Sequence, residues 1–196
     1  MIAIIDYGAG NLVSVKKAFA YLGAEVVVTN QPAMVAAANR IVFPGVGHFS
    51  ALQALDQNGL RESMLQAVDA AKPILGVCLG MQWLFEGSEE CSAIAGSAIF
   101  PGKCAQFPAS VKSPHVGWNS LAIQDGSRLL KGIPQNTFVY YTHSYHAPVI
   151  AASTATSEHG RQFTAAVERE NVFGVQFHPE KSGGAGLAIL KNFCEI

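Results

Sequence analysis

The first half of the chain alternates between two hydrophobic patterns. Ile2–Asp6 (IAIID), Val26–Thr29, Arg40–Phe43 (RIVF) and Pro73–Val77 (PILGV) are short, continuous apolar runs, mostly β-branched, which predicts buried strands. Between them, Asn11–Leu22 carries Leu12, Val15, Phe19 and Leu22 at helical spacing. Phe49–Asn58 and Leu60–Ala71 read as helices broken at Gly59, and Leu79–Glu86 as a short helix after the fourth strand. Such alternation predicts a mostly parallel sheet covered on both faces. The second half changes character. Residues 96–124 are punctuated by Gly, Pro and Ser, with strand-like pieces such as Asn119–Ile123. Phe138–Tyr141, Pro148–Ala151, Phe163–Glu168 and Val172–Phe177 read as strands, partly antiparallel, and Ala185–Cys194 as a closing helix. Neither a repeat nor a linker divides the chain, so residues 1–196 are expected to form one α/β domain with an antiparallel flank.

Composition narrows the function. Of 196 residues, 13 are Lys or Arg and 14 Asp or Glu, a charged share of 14% where about 25% is ordinary. Apolar residues make up 49%, which excludes a disordered chain. A net charge of −1 argues against a nucleic-acid binder held by a basic patch. No apolar run approaches the roughly 20 residues of a membrane span. The start, MIAIIDYGAGN, lacks a signal peptide's basic opening, so a cytoplasmic protein is expected. Cys78, Cys91, Cys104 and Cys194 form no C-x-x-C pair and are read as reduced thiols.

The chemistry concentrates in three places. Ile74–Gln82 (ILGVCLGMQ) runs from a buried strand through G-x-C-x-G into a helix, the layout of a nucleophile elbow. Gly76 and Gly80 make room for a strained turn that presents Cys78 at the strand's carboxyl end, where α/β sheets bind ligands. A helix N-terminus there favours thiolate. A structural cysteine between packing glycines would look the same. Gly174–Glu180 (GVQFHPE) ends a strand in His178, and Pro179 breaks any helix. In an extended segment, residues two apart point the same way, so Glu180 could hold one nitrogen of His178 while the other faces the thiol. Alternatively, Glu180 caps the last helix. Phe43–His48 (FPGVGH) follows a third strand, where a loop N–H could complete an oxyanion site with that of Leu79, or simply make a turn.

GVCLGMQ, QFHPE and PGVG together resemble the class I (triad) glutamine amidotransferases. DYGAGN at 6–11, PHVGWN at 114–119, YYTHSY at 140–145 and the Lys181-Ser-Gly that follows narrow the resemblance. They point to the glutaminase subunits of imidazole glycerol phosphate synthases, which serve histidine biosynthesis. The match covers essentially the whole chain in order. It implies a three-layer, flavodoxin-like fold with a mostly parallel central sheet, and no cofactor or metal. It assigns Cys78 as nucleophile, His178 as base and acid, and Glu180 as orienter. Val46, Gly47 and Leu79 would supply oxyanion donors, and Gly45, Gln82, Ser144 and Tyr145 would hold glutamine. Asn11, Trp118, Tyr140 and Lys181 would serve an interface or its signalling. The implied partner is a cyclase subunit, a (β/α)8 barrel that receives the ammonia in a heterodimer. The family's glutaminase is nearly silent until that partner binds its ligand, and a peptide flip at Pro44–Gly47 is a physical candidate for the switch. Two stretches depart from the pattern, Glu89–Phe100 and Tyr145–Pro148.

Other readings are weaker. Gly8-x-Gly10 hints at a dinucleotide turn, but Val13 stands at the third glycine position and no acid ends the second strand. His143 and His146 lack a third ligand in motif range and read as hydrogen-bonded or surface histidines. A pyridoxal-phosphate synthase subunit, a nucleotide-synthase domain, a degenerate regulatory subunit or a cysteine peptidase each miss part of the motif set.

Overall fold

The computed structural model describes residues 1–196. The first half builds β1 (Ile2–Ile5), α1 (Leu12–Tyr21), β2 (Val26–Thr29), α2 (Pro32–Ala37), β3 (Arg40–Gly45), α3 (Ala54–Gln57), α4 (Leu60–Asp69), β4 (Ile74–Cys78) and α5 (Leu79–Trp83). The second half adds β5 (Gly87–Ser88), β6 (Lys103–Gln106), β7 (His115–Ser120), β8 (Ala122–Ile123), β9 (Phe138–His143) and β10 (Tyr145–His146). It closes with β11 (Ser153–Glu158), β12 (Gln162–Arg169), β13 (Val172–Val175) and α6 (Gly183–Glu195).

An eight-stranded sheet orders as β2-β1-β3-β4-β13-β12-β11-β8. Its first five strands are parallel, and the last three join antiparallel. The apolar runs alternate their side chains between the sheet's two faces, and each face has its own core. Ile4, Val42, Leu75 and Val77 pack with Phe19 of α1 and Ile189, Leu190 and Phe193 of α6. Ile5, Ile41, Phe43 and Ile74 pack on the other side with Val35 of α2 and Leu60 and Met64 of α4. The three-layer α/β architecture is the one expected. A ribbon of β7 and β9, and a small sheet β10-β6-β5, lie beside it. No helix is long and apolar enough to cross a membrane.

Several boundaries differ from expectation. The segment Phe49–Asn58 is a 3₁₀ turn, Phe49–Gln53, followed by the single turn α3. The short helix after the elbow stops at Trp83 rather than Glu86. Helix α2 was not anticipated; Pro32 opens it, as suits the first helical turn. The largest error concerns Pro148–Ala151, an apolar run that forms no strand. The strand is the polar Ser153–Glu158 that follows. The hydroxyls of Ser153 and Ser157 are satisfied internally. Ser153 Oγ lies 2.7 Å from Thr164 Oγ1, and Ser157 Oγ donates to the Ser120 carbonyl at 2.7 Å.

The turn between β4 and α5 packs against β3 without clearance. A Cβ at Gly80 would overlap the Phe43 carbonyl oxygen, and one at Gly76 would come within 2.6 Å of the Gly80 carbonyl. Both obstacles are backbone and cannot step aside. Gly80→Ala is therefore expected to cost about 3 kcal/mol or more, read as a fall in the urea midpoint at unchanged slope.

Candidate active site

Cys78 is the last residue of β4 and the N-cap of α5, with φ 53° and ψ −107°. A non-glycine residue at positive φ is strained, and such strain concentrates at functional sites. Here it turns the side chain out of the sheet at the start of a helix. The thiol stays only 6% exposed. Its Sγ lies 3.9 Å from the Thr142 carbonyl oxygen and 3.7 Å from Gln176 Nε2.

Strand β13 is the parallel neighbour of β4, with Val175 opposite Val77. The chain therefore emerges beside Cys78 and reaches His178 three residues beyond the strand. Its backbone is clamped there. The His178 N–H donates to the Tyr140 carbonyl at 2.8 Å, and Ser182 Oγ donates to the His178 carbonyl at 2.7 Å. His178 Nδ1 lies 2.8 Å from Glu180 Oε1, with both side chains 1% exposed. The extended stretch expected at 178–180 is not what joins them. Pro179–Lys181 is a 3₁₀ turn, with Pro179 in its first turn, and it folds the carboxylate back under the ring. Asn11 Nδ2 donates to the same Oε1 at 3.1 Å. Asn11 sits at the N-cap of α1 yet makes no capping bond, so its side chain is committed to Glu180.

His178 Nε2 has no hydrogen-bond partner of its own within the protein. Burial, the largest influence on the ring, opposes its charge. The Cys78 sulfur and the Glu180 carboxylate outweigh burial and push the imidazole up to about 10. This electrostatic setting favours an imidazolium beside the sulfur.

Cys78 opens on a cleft of about 260 Å³. Of the residues expected there, Gly47, Leu79, Gln82, Ser144 and Tyr145 line it. Gly47 has φ +112° and open space around it, a backbone that glycine alone adopts freely. Gly45 is not a lining residue. It pairs with Cys78 across β3 and β4, and a Cβ there would meet Tyr7 Oη at 2.6 Å and Leu79 Cβ at 2.7 Å. Val46 is half-buried and also off the lining. Trp118, Tyr140 and Lys181 stand apart from the cleft. Trp118 is 55% exposed on the ribbon, its ring meets Tyr140 edge-on at 6.1 Å, and Lys181 Nζ lies 5.8 Å from the Tyr140 ring.

The structure also brings in residues that the sequence did not single out. Glu90, in the atypical stretch, lines the cleft with its carboxylate pinned by the Phe49 N–H at 2.7 Å. It is one of two adjacent acids, and no motif distinguishes it. Gln176 touches the sulfur from inside the QFHPE motif. His115 is a third, buried around Phe107 with His143 and His146. Those two, the histidines expected to be hydrogen-bonded or at the surface, are buried and hydrogen-bonded. The cleft can accept a small molecule carrying a cationic group near Glu90 and an electrophilic carbon near Cys78.

Residues 3–196 match the family model "Glutamine amidotransferase class-I". The chain is 46% identical to the imidazole glycerol phosphate synthase subunit HisH of Methanothermobacter thermautotrophicus, over 100% of this chain and 98% of that one. It is 45% identical to the same subunit of Moorella thermoacetica, over 100% and 94%. Among solved structures, a glutamine amidotransferase superposes with a TM-score of 0.78 at 14% identity, covering 100% of this chain and 98% of that one. PurLQS from Thermotoga maritima gives 0.76 at 17% identity, covering 99% and 97%.

Proposed function

Because the chain belongs to the class I glutamine amidotransferases, among the HisH subunits of imidazole glycerol phosphate synthase, we propose that Cys78, His178 and Glu180 carry out its glutamine hydrolysis. The observation that carries this reading is the strained elbow at Cys78 standing at the end of β4, beside a His178–Glu180 pair delivered by the adjacent strand.

The Cys78 sulfur attacks the side-chain amide carbon of glutamine. The C–N bond breaks as His178 gives its proton to the departing nitrogen, releasing ammonia and leaving a γ-glutamyl thioester. His178 then takes a proton from water, which attacks the thioester carbon. Glutamate leaves and the thiol is restored. Glu180, steadied by Asn11, keeps Nδ1 protonated so that Nε2 faces the chemistry. The Leu79 N–H and a loop N–H at Val46 or Gly47 hold the oxyanion, and rotation of that glycine-flanked peptide switches the second donor. Glu90 suits the α-ammonium of glutamine. Gln82 and the backbone of Ser144 and Tyr145 suit its remaining polar ends, while Gly45 gives the close packing that supports the loop.

The synthase partner is a cyclase of (β/α)8-barrel form, paired with this chain as a heterodimer in the cytoplasm, and residues 1–196 act as one domain. Val116, Trp118 and Phe138 support the docking face, being large apolar side chains each more than half exposed on one ribbon. Asn11 and Lys181 would report that docking to the triad. Glutamate release is expected to rise at least about 100-fold when the cyclase and its phosphoribulosyl ligand are added to the isolated chain. A wild-type chain that stays inert with both present would overturn the reading.

A further inference from the structure

A line of polar groups runs from the β7–β9 ribbon to the sulfur, and hydrogen-bond accounting fixes the donor at each step, with two arms that both donate into the Tyr145 carbonyl. The Tyr145 carbonyl can only accept. His143 Nδ1, 2.9 Å away, must therefore carry the proton. His143 Nε2 is then a bare acceptor, so His115 Nδ1, at 3.0 Å, must donate to it. His115 Nε2 is left to accept from Asn119 Nδ2 at 3.3 Å. Asn119 cannot turn over, because the same nitrogen donates to the Glu158 carbonyl at 2.8 Å and its oxygen accepts from the Ser120 N–H.

The line continues beyond the carbonyl. Gln82 Nε2 donates to the Tyr145 oxygen at 2.8 Å and to Gln176 Oε1 at 3.2 Å. With its oxygen occupied, Gln176 has only its N–H₂ to offer the Cys78 sulfur. Turning Gln82 over would set its oxygen against the Tyr145 oxygen, and turning Gln176 over would set its N–H₂ against that of Gln82. Burial keeps both imidazoles neutral: His115 is lowered to about 4 and His143 well below its usual value. Charging the line would put two N–H groups face to face.

We propose that this relay fixes Gln176 as a hydrogen-bond donor to the Cys78 thiolate, making Gln176 a further catalytic residue and His115 and His143 positioning residues for the glutaminase reaction. It rests on Cys78 as the nucleophile. In the thiol form the sulfur donates to the Thr142 carbonyl. In the thiolate form it accepts from Gln176 and faces the charged ring of His178. The other titratable groups acting on the sulfur are Tyr7 and Cys104, and the variants below leave both in place.

The test reads the sulfur directly. The full chain is alkylated with iodoacetamide from pH 6 upward, and modification at Cys78 is followed by peptide mass spectrometry. Gln176→Met keeps the volume and removes the donor. At pH 7 its alkylation is expected to be about tenfold slower than wild type, with the two rates converging in alkali, as a charge-assisted hydrogen bond requires. His115→Phe is expected to slow it about threefold, and His115→Gln, which restores a donor toward His143, to recover the wild-type rate. Superimposable profiles for wild type and Gln176→Met would overturn the proposal. A measurement on the unaltered protein guards against misfolded variants. ¹⁵N spectra should show His115 and His143 neutral and protonated at Nδ1, and protonation of His143 at Nε2 would equally overturn it. Should Cys78→Ala still turn over glutamine, the assignment of the nucleophile fails, while the alkylation profiles stand or fall independently.

Discussion

Alanine in place of Cys78 is expected to reduce glutamate release by about 10⁴- to 10⁶-fold in the complex with the cyclase, the scale seen when a covalent nucleophile is removed. No second sulfur can substitute. Cys104 is fully buried, and neither Cys91 nor Cys194 lines the cleft. The cleft itself survives, because alanine occupies the same backbone with the same positive φ and loses one partly solvated atom. Stability is expected to change by less than about 1 kcal/mol. The check pairs a coupled glutamate assay with a thermal melt. Turnover within tenfold of wild type would mean that another group attacks the amide.

Glu180→Gln should be nearly as damaging, with a loss of about 10²- to 10⁴-fold in kcat at little change in KM. The amide can present its N–H₂ to His178 Nδ1, which favours the wrong tautomer and removes the charge that steadies the imidazolium. The same substitution has a thermodynamic signature. Folding raises His178 from about 6.5 to about 10: burial opposes the charge, and the Cys78 sulfur and then Glu180 outweigh it. Its contribution to stability is complete below pH 6.5 and is lost as pH rises toward 10. Denaturant titrations across that window should show stability falling with pH in the wild type, and a shallower fall in the variant. Equal slopes would remove Glu180 from the account of the base.

Strands β1, β3, β4 and β13 were legible because a strand buried on both faces has to be a continuous apolar run. The elbow was legible because only glycines can flank so close a turn. By contrast, Ser153–Glu158 defeats a hydrophobicity reading. Its burial is met by hydroxyls that find Thr164, Tyr141 and Ser120, partners remote in sequence. Glu180 was matched to His178 by the wrong local geometry, since the two meet across a 3₁₀ turn rather than along an extended chain. Glu90, Gln176, His115 and Asn119 were not singled out for a different reason. Their significance lies in which atom faces which, and residue type and spacing do not encode that. The motif residues were readable as far as their chemistry is local, and the supporting network was not.

Cys78 and His178 follow hydrogen-bonded neighbouring strands, with Val77 and Val175 in register. The points at which the two chains leave the sheet are therefore set by the spacing of adjacent strands, about 4.8 Å. Side-chain replacement cannot edit that length. Glu90, on the far wall of the cleft, hangs on another element and can be changed for a differently shaped amide without disturbing those points. A slip of β13 against β4 by one residue would instead turn every side chain of that strand to the opposite face. The reaction geometry is inherited with the sheet, whereas substrate choice is negotiated in the loops.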